Sequence, residues 1–211
     1  MIEQIDPLNI KADRTNNPLT LIWAGPQSPA QLYSFSHFSE WQAFISNLGL
    51  NCQVPSMTVR PKFERAQSLY LLGWICQDFI KAGEFAALSA LELALKDVYM
   101  SAYKDINPKF KKPENSINSF LKPGLKFMVE HDGLVDEKLP IVQKFGGAVV
   151  SNLYREKPNG QKGKVDQDGT LVGIRNSLAH GDPFDAMPWG SLLEVVRDLI
   201  GYMYRNFPEY Q

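Results

Sequence analysis

Apolar residues recur along this chain at two different periods, and the change falls near residue 60. Before it, Leu19-Thr20-Leu21-Ile22-Trp23 and Gln31-Leu32-Tyr33-Ser34-Phe35 read as two short strands. The turn-rich connector Gly25-Pro26-Gln27-Ser28-Pro29 lies between them, so a β-hairpin is expected. Ser39-Glu40-Trp41-Gln42 fits a capping box, and Phe38, Trp41, Phe44, Ile45 and Leu48 follow at helical spacing up to Gly49. A two-stranded hairpin is marginal alone in water, so residues 1–59 are expected to form a small α+β extension packed on the rest of the chain.

From residue 60 the pattern is helical. Pro61 suits a first turn, and Ala66, Leu69, Tyr70, Leu72, Trp74, Ile75, Cys76, Phe79 and Ile80 give a wide apolar face that runs to Gly83. A second helix, opened by Glu84 and running from Phe85 to about Tyr103, is apolar around most of its circumference and so belongs in the middle of a bundle. Its polar residues Ser89, Glu92 and Lys96 share one strip, where Glu92 either makes a solvated i,i+4 pair with Lys96 or faces a functional arginine. After a polar connector over 104–115, helices are expected over Asn118–His131, ended by Gly133, and over Pro140–Tyr154, weakened by Gly146-Gly147. Residues 155–169 lack periodicity and read as a mobile surface loop. A helix from Thr170 to His180 is stopped by Gly181 and Pro183, and a last one opens on the capping box Ser191-Leu192-Leu193-Glu194 and runs to about Phe207. The fold class is therefore mainly α: a bundle of four to five helices over 60–211 with the N-terminal extension.

Composition changes this picture little. A chain of 211 residues, 44% hydrophobic and 21% charged, is an ordinary globular size and mixture. The net charge of −1 excludes a strongly basic nucleic-acid clamp as a property of the whole molecule, though not a local basic patch. Cys52 and Cys76 are too few for a disulfide framework, no signal peptide or membrane span is legible, and a cytoplasmic location is expected. His37, His131 and His180 are too scattered for a zinc site. Asp182 and Asp185 fit turn formers better than metal ligands, and no phosphate loop or nucleophile elbow is present. No metal or cofactor is expected.

The chemistry concentrates in Ile174-Arg175-Asn176-Ser177-Leu178-Ala179-His180-Gly181. Histidine exchanges a proton near neutral pH, arginine offers a permanent cation with a fork of donors, and asparagine supplies a donor and an acceptor. On a helix Asn176 and His180 share a face, whereas Arg175 lies roughly 140° from His180, so the three converge only if the long Arg side chain wraps round or a second copy of the helix, across a dimer axis, relieves the geometry. With three His and seven Arg in the chain, an Arg followed five positions later by His is expected roughly 0.1 times by chance, a weak motif by itself. A purely structural reading, with His180 serving the helix dipole and Arg175 pairing with an acid such as Glu92, is the alternative.

The segment Arg175-Asn176-Ser177-Leu178-Ala179-His180-Gly181 resembles the R-N-x-x-x-H signature of HEPN domains. The apolar helix Phe85–Tyr103 and the stretch from Leu125 to Leu134 support the resemblance, which covers about residues 60–207. It implies a metal-independent endoribonuclease that works as a homodimer, a toxin or defence protein with RNA as substrate. An antitoxin or a nucleotidyltransferase is the implied protein partner. His180 would move the proton for attack of a ribose 2′-hydroxyl, Arg175 would hold the phosphate, and Asn176 would orient His180 or bind the phosphate. Other members keep the fold as non-catalytic modules that bind RNA, a nucleotide or a protein. Lysines supply phosphate affinity without sequence preference, and two groups qualify. Lys104, Lys109, Lys111, Lys112, Lys122 and Lys126 form one, and Arg155 with Lys157, Lys162 and Lys164, the expected RNA-binding loop, the other.

Overall fold

In the computed structural model, which describes residues 13–23, 31–51, 57–111, 119–155, 169–180 and 191–207, the two short strands lie where their side-chain alternation puts them. β1 (Leu19–Trp23) pairs antiparallel with β2 (Gln31–Phe35), Leu19 opposite Phe35 and Trp23 opposite Gln31. Leu19, Leu21 and Trp23 point inward at alternate positions and are fully or nearly fully buried. The helix that follows, α1 (Phe38–Ser46), starts before the expected capping box. Glu40 does supply the reciprocal carboxylate, but it accepts the backbone N–H groups of Ser36 and His37, so His37 and not Ser39 is the cap residue.

The chain beyond is helical, and its breaks differ from the expected ones. The first long apolar face does not run to Gly83: α2 (Val59–Leu72) ends at Gly73, and α3 (Asp78–Ile106) begins five residues later. The apolar period continues across this corner because Trp74 and Ile80 are buried too, which hides the turn from a periodicity reading. Gly83 lies inside α3, packed against Tyr70 of α2. A Cβ there would sit 2.5 Å from Cδ2 of the buried Tyr70 ring, so glycine is what lets the two helices pack.

α3 carries 29 residues and is about 43 Å long, the central rod of the molecule. Ala87, Leu88, Ala90, Leu91, Ala94 and Leu95 are fully buried within it, as expected for a helix apolar on most sides. A 3-10 turn at Pro108–Lys111 follows, and then α4 (Leu121–Glu130), whose expected start at Asn118 lies outside the described residues. The expected helix over 140–154 is two short pieces, α5 (Pro140–Phe145) and a 3-10 turn at Val150–Asn152. Gly146 and Gly147 separate them with φ of +74° and +98°, values at which no helix continues. α6 (Leu171–His180) and α7 (Leu192–Met203) complete the bundle, and α3 touches α2, α4, α6 and α7.

One hydrophobic cluster runs through all of this, from Leu19 and Trp23 of the hairpin to Tyr204 beyond α7. The Trp41 indole N–H donates to the carbonyl of Tyr70 in α2, and the Trp23 indole N–H donates to Glu194 in α7 over 3.0 Å. Glu194 is therefore no cap: it is buried, and Ser191 makes no side-chain capping bond. Its carboxylate takes the Trp23 donor together with Lys144 and Arg197. Among the described residues no helix is long and apolar enough to cross a membrane.

Candidate functional site

α6 begins on a side-chain cap. The hydroxyl of the buried Thr170 accepts the N–H of Gly173 at 3.1 Å, and the N–H of Val172 reaches the carbonyl of Leu153. Leu171 and Gly173 are buried while Val172, Ile174 and Leu178 lie half-buried against the core, so the helix is seated by its apolar face. Its polar motif residues are left at the surface: Arg175 and Asn176 half-buried, and His180 exposed at the C-terminal end.

Arg175 is anchored from below by Glu92 of α3, a contact between residues 83 positions apart. Oε2 of Glu92 accepts from Nη2 of Arg175 at 3.2 Å, while Oε1 accepts from the backbone N–H of Phe120 at 2.8 Å and pairs with Nζ of Lys96 at 3.1 Å. The carboxylate pairs with Lys96 at i,i+4, buried where a solvated pair was expected, and it also contacts Arg175, the pairing a purely structural role for that arginine calls for. Burial raises the Glu92 pKa, but the Phe120 N–H, Lys96 and Arg175 outweigh it and hold the carboxyl below its ordinary range. It stays an anion at neutral pH.

Asn176 turns its carbonyl oxygen to Nη1 of Arg175 at 3.3 Å, and no hydrogen bond joins it to His180 among the described residues. Arg175 and His180 are separated by about 7.5 Å of helix rise and by the 140° offset of their spacing, and no hydrogen bond joins them among the described residues. Lys157, Lys162 and Lys164 lie outside the described residues. Of the other expected basic residues, Lys122 donates its ammonium to the carbonyl of Arg155, and Lys126 pairs with Glu130. No group of His, Cys, Asp and Glu able to hold a metal ion occurs among the described residues.

Two features of this neighbourhood escaped the sequence reading. One is the backbone N–H of Phe120, which docks the start of α4 on Glu92 and carries no signal in side-chain pattern. The other is an open groove of about 410 Å³ beside α6, where Leu178 faces Cys76, Asp78, Phe79, Lys81, Ala82 and Phe85. A charged network around α7 was missed as well. Asp198 accepts the N–H of Ile141 and the guanidinium of Arg197, and burial pushes its carboxyl up despite both. Compared with known proteins, the chain matches no family model, no curated protein and no solved structure.

Proposed function

We infer that the chain is a HEPN-like, metal-independent endoribonuclease that acts as a homodimer. The observation that carries this reading is the placement of the motif's polar groups. Arg175 is fixed on a buried carboxylate yet keeps about a quarter of its side chain in solvent, and His180 is exposed at the end of the same helix. The Arg175–Glu92 pair is equally what a purely structural role calls for, so the reading stands on the solvent-facing remainder of the two side chains and is decided by RNA cleavage. In the proposed reaction the ribose 2′-oxygen attacks the adjacent phosphorus as His180 takes the hydroxyl proton. The protonated His180 then returns that proton to the 5′-oxygen as its bond to phosphorus breaks, leaving a 2′,3′-cyclic phosphate and a 5′-hydroxyl. Arg175 balances the charge that grows on the phosphate oxygens.

The separation of Arg175 and His180 within one chain supports a composite site built by two α6 helices. The groove along Leu178 and Phe85, with Phe85 40% exposed, supplies apolar surface next to that helix for the second copy. The test is cleavage of single-stranded and structured RNA in the presence of EDTA, with the product ends identified. His180→Ala is expected to abolish cleavage at unchanged melting temperature, and light scattering is expected to give a dimer. Intact RNA across diverse substrates would refute the enzymatic reading. The same separation also favours a second reading, a non-catalytic HEPN module; Arg175→Ala would then alter ligand binding while no RNA is ever cut.

A further inference from the structure

Counting charge at Glu92 leaves a surplus. One carboxylate, 10% exposed at its side chain, is contacted by two cations, Lys96 and Arg175, where one would neutralise it. Arg175 is the partner of Oε2, and the Phe120 N–H already occupies Oε1, so Lys96 is not needed to satisfy either oxygen. Nor does the site hide the extra charge: the Lys96 side chain is 37% exposed and that of Arg175 26%. Both cations retain unused donors. Lys96 has three and gives one to Glu92, and Arg175 has five and gives two, to Glu92 and Asn176. The two are held side by side on opposite oxygens of a single fixed group, a net charge of +1 turned toward solvent. Lys122 stands two residues beyond the Phe120 contact in sequence and donates to the carbonyl of Arg155.

We propose that Lys96 and Arg175 together form a phosphate-binding subsite organised by Glu92, in which Lys96 takes a backbone phosphate of the strand next to the one Arg175 contacts. The assignment of that phosphate to an RNA strand rests on the ribonuclease reading; the subsite itself does not. Glu92 is a positioning residue here, since it fixes two flexible cations before any ligand arrives and so lowers the ordering cost of binding. Lys96 supplies a compact point charge beside the fork of Arg175, a combination suited to successive phosphates and not to one planar carboxylate.

The test is fluorescence anisotropy of the full chain with a short labelled 2′-O-methyl oligoribonucleotide, which lacks the hydroxyl needed for cleavage, between about 50 and 200 mM salt. Removing one phosphate contact from a single strand lowers the salt slope by about 0.7, equivalent to roughly fivefold weaker binding at 0.1 M salt. Lys96→Met is expected to show both effects, and Lys96→Arg to restore most of the affinity. A merely structural Lys96 would shift the melting temperature without moving the slope. Unchanged affinity and slope in Lys96→Met overturns the proposal, as does a wild-type chain that binds no oligonucleotide. RNA cleaved through His180 with no dependence on Lys96 sinks the subsite alone. A strand bound through Lys96 but never cut, in its natural 2′-hydroxyl form, sinks the ribonuclease reading alone. Inorganic pyrophosphate and ATP are titrated as competitors. Lys96-dependent displacement at micromolar concentration assigns the subsite to a free phosphate ligand, whereas displacement only at millimolar concentration assigns it to the strand.

Discussion

Replacing Glu92 separates its roles as hydrogen-bond acceptor and as charge. Glu92→Ala strands the buried N–H of Phe120, and an unsatisfied buried donor costs about 1–3 kcal/mol. It also removes a buried methylene, worth about 0.8 kcal/mol. The lost ion pairs add little: Lys96 and Arg175 both reach water, and exposed pairs contribute at most about 1 kcal/mol. The sum is about 2–5 kcal/mol, or roughly 4–20 °C in Tm for a chain of this size. Glu92→Gln keeps an acceptor for Phe120 and the side-chain volume but loses the charge, so about 1 kcal/mol is expected. Because the folded-state carboxyl titrates below its unfolded value of about 4.3, the unfolded chain binds that proton more readily. The charge-dependent part of the stability is therefore present above pH 4.3 and lost as the pH falls through the folded-state value. Urea titrations of wild type, Glu92→Ala and Glu92→Gln at pH 7 and across the acid range measure all three quantities. Equal losses in the two variants, or a gap between wild type and Glu92→Gln that widens toward acid, would refute the reasoning.

Gly83→Ala should cost a net 1–2 kcal/mol by thermal melting, since a Cβ 2.5 Å from the Tyr70 ring overpacks the α2–α3 contact by more than the gain in helix propensity, about 1 kcal/mol. Gly146→Ala meets no atom within 4 Å yet should still lose about 1–3 kcal/mol, purely from the backbone at φ +74° and ψ −175°. Asp198→Asn keeps an acceptor for the Ile141 N–H and is expected to stay within about 1 kcal/mol of wild type at pH 7, whereas Asp198→Ala loses about 1–3 kcal/mol. Since burial raises the Asp198 carboxyl, the folded chain takes up its proton first. The comparison with Asp198→Asn should then shift in favour of wild type as pH falls through the folded-state value toward about 3.9, read by urea titration.

Elements specified by neighbours a few residues apart were legible in the chain. The strands at Leu19–Trp23 and Gln31–Phe35 have their expected bounds, because alternation and the flanking turn residues are local. α6 runs through the motif from Leu171 to His180, while the stop expected at Gly181 and Pro183 lies outside the described residues. What failed depended on partners distant in sequence. Ser191 and Glu194 have the spacing of a capping box, but Trp23 arrives from 171 residues away and claims the carboxylate. The α2–α3 corner at Gly73 was invisible because both arms and the corner are apolar. In the site, Glu92 was legible as a carboxylate that pairs with Lys96 or faces an arginine. The structure shows it doing the two at once, and that came from the seating of α6 on α3, which no single helix period encodes.

The bond between Trp23 and Glu194 has a consequence for how the molecule comes to be made. A ribosome adding about 5–20 residues per second needs roughly 9–34 s to travel the 171 positions between the two partners. For that interval the hairpin has no α7 to lie against, and two strands by themselves are only marginally stable. Leu19, Leu21 and Trp23 then emerge long before their final surroundings exist. Early synthesis thus favours α2 and α3, whose contacts are close in sequence, and the Trp23–Glu194 bond forms only once α7 has been made.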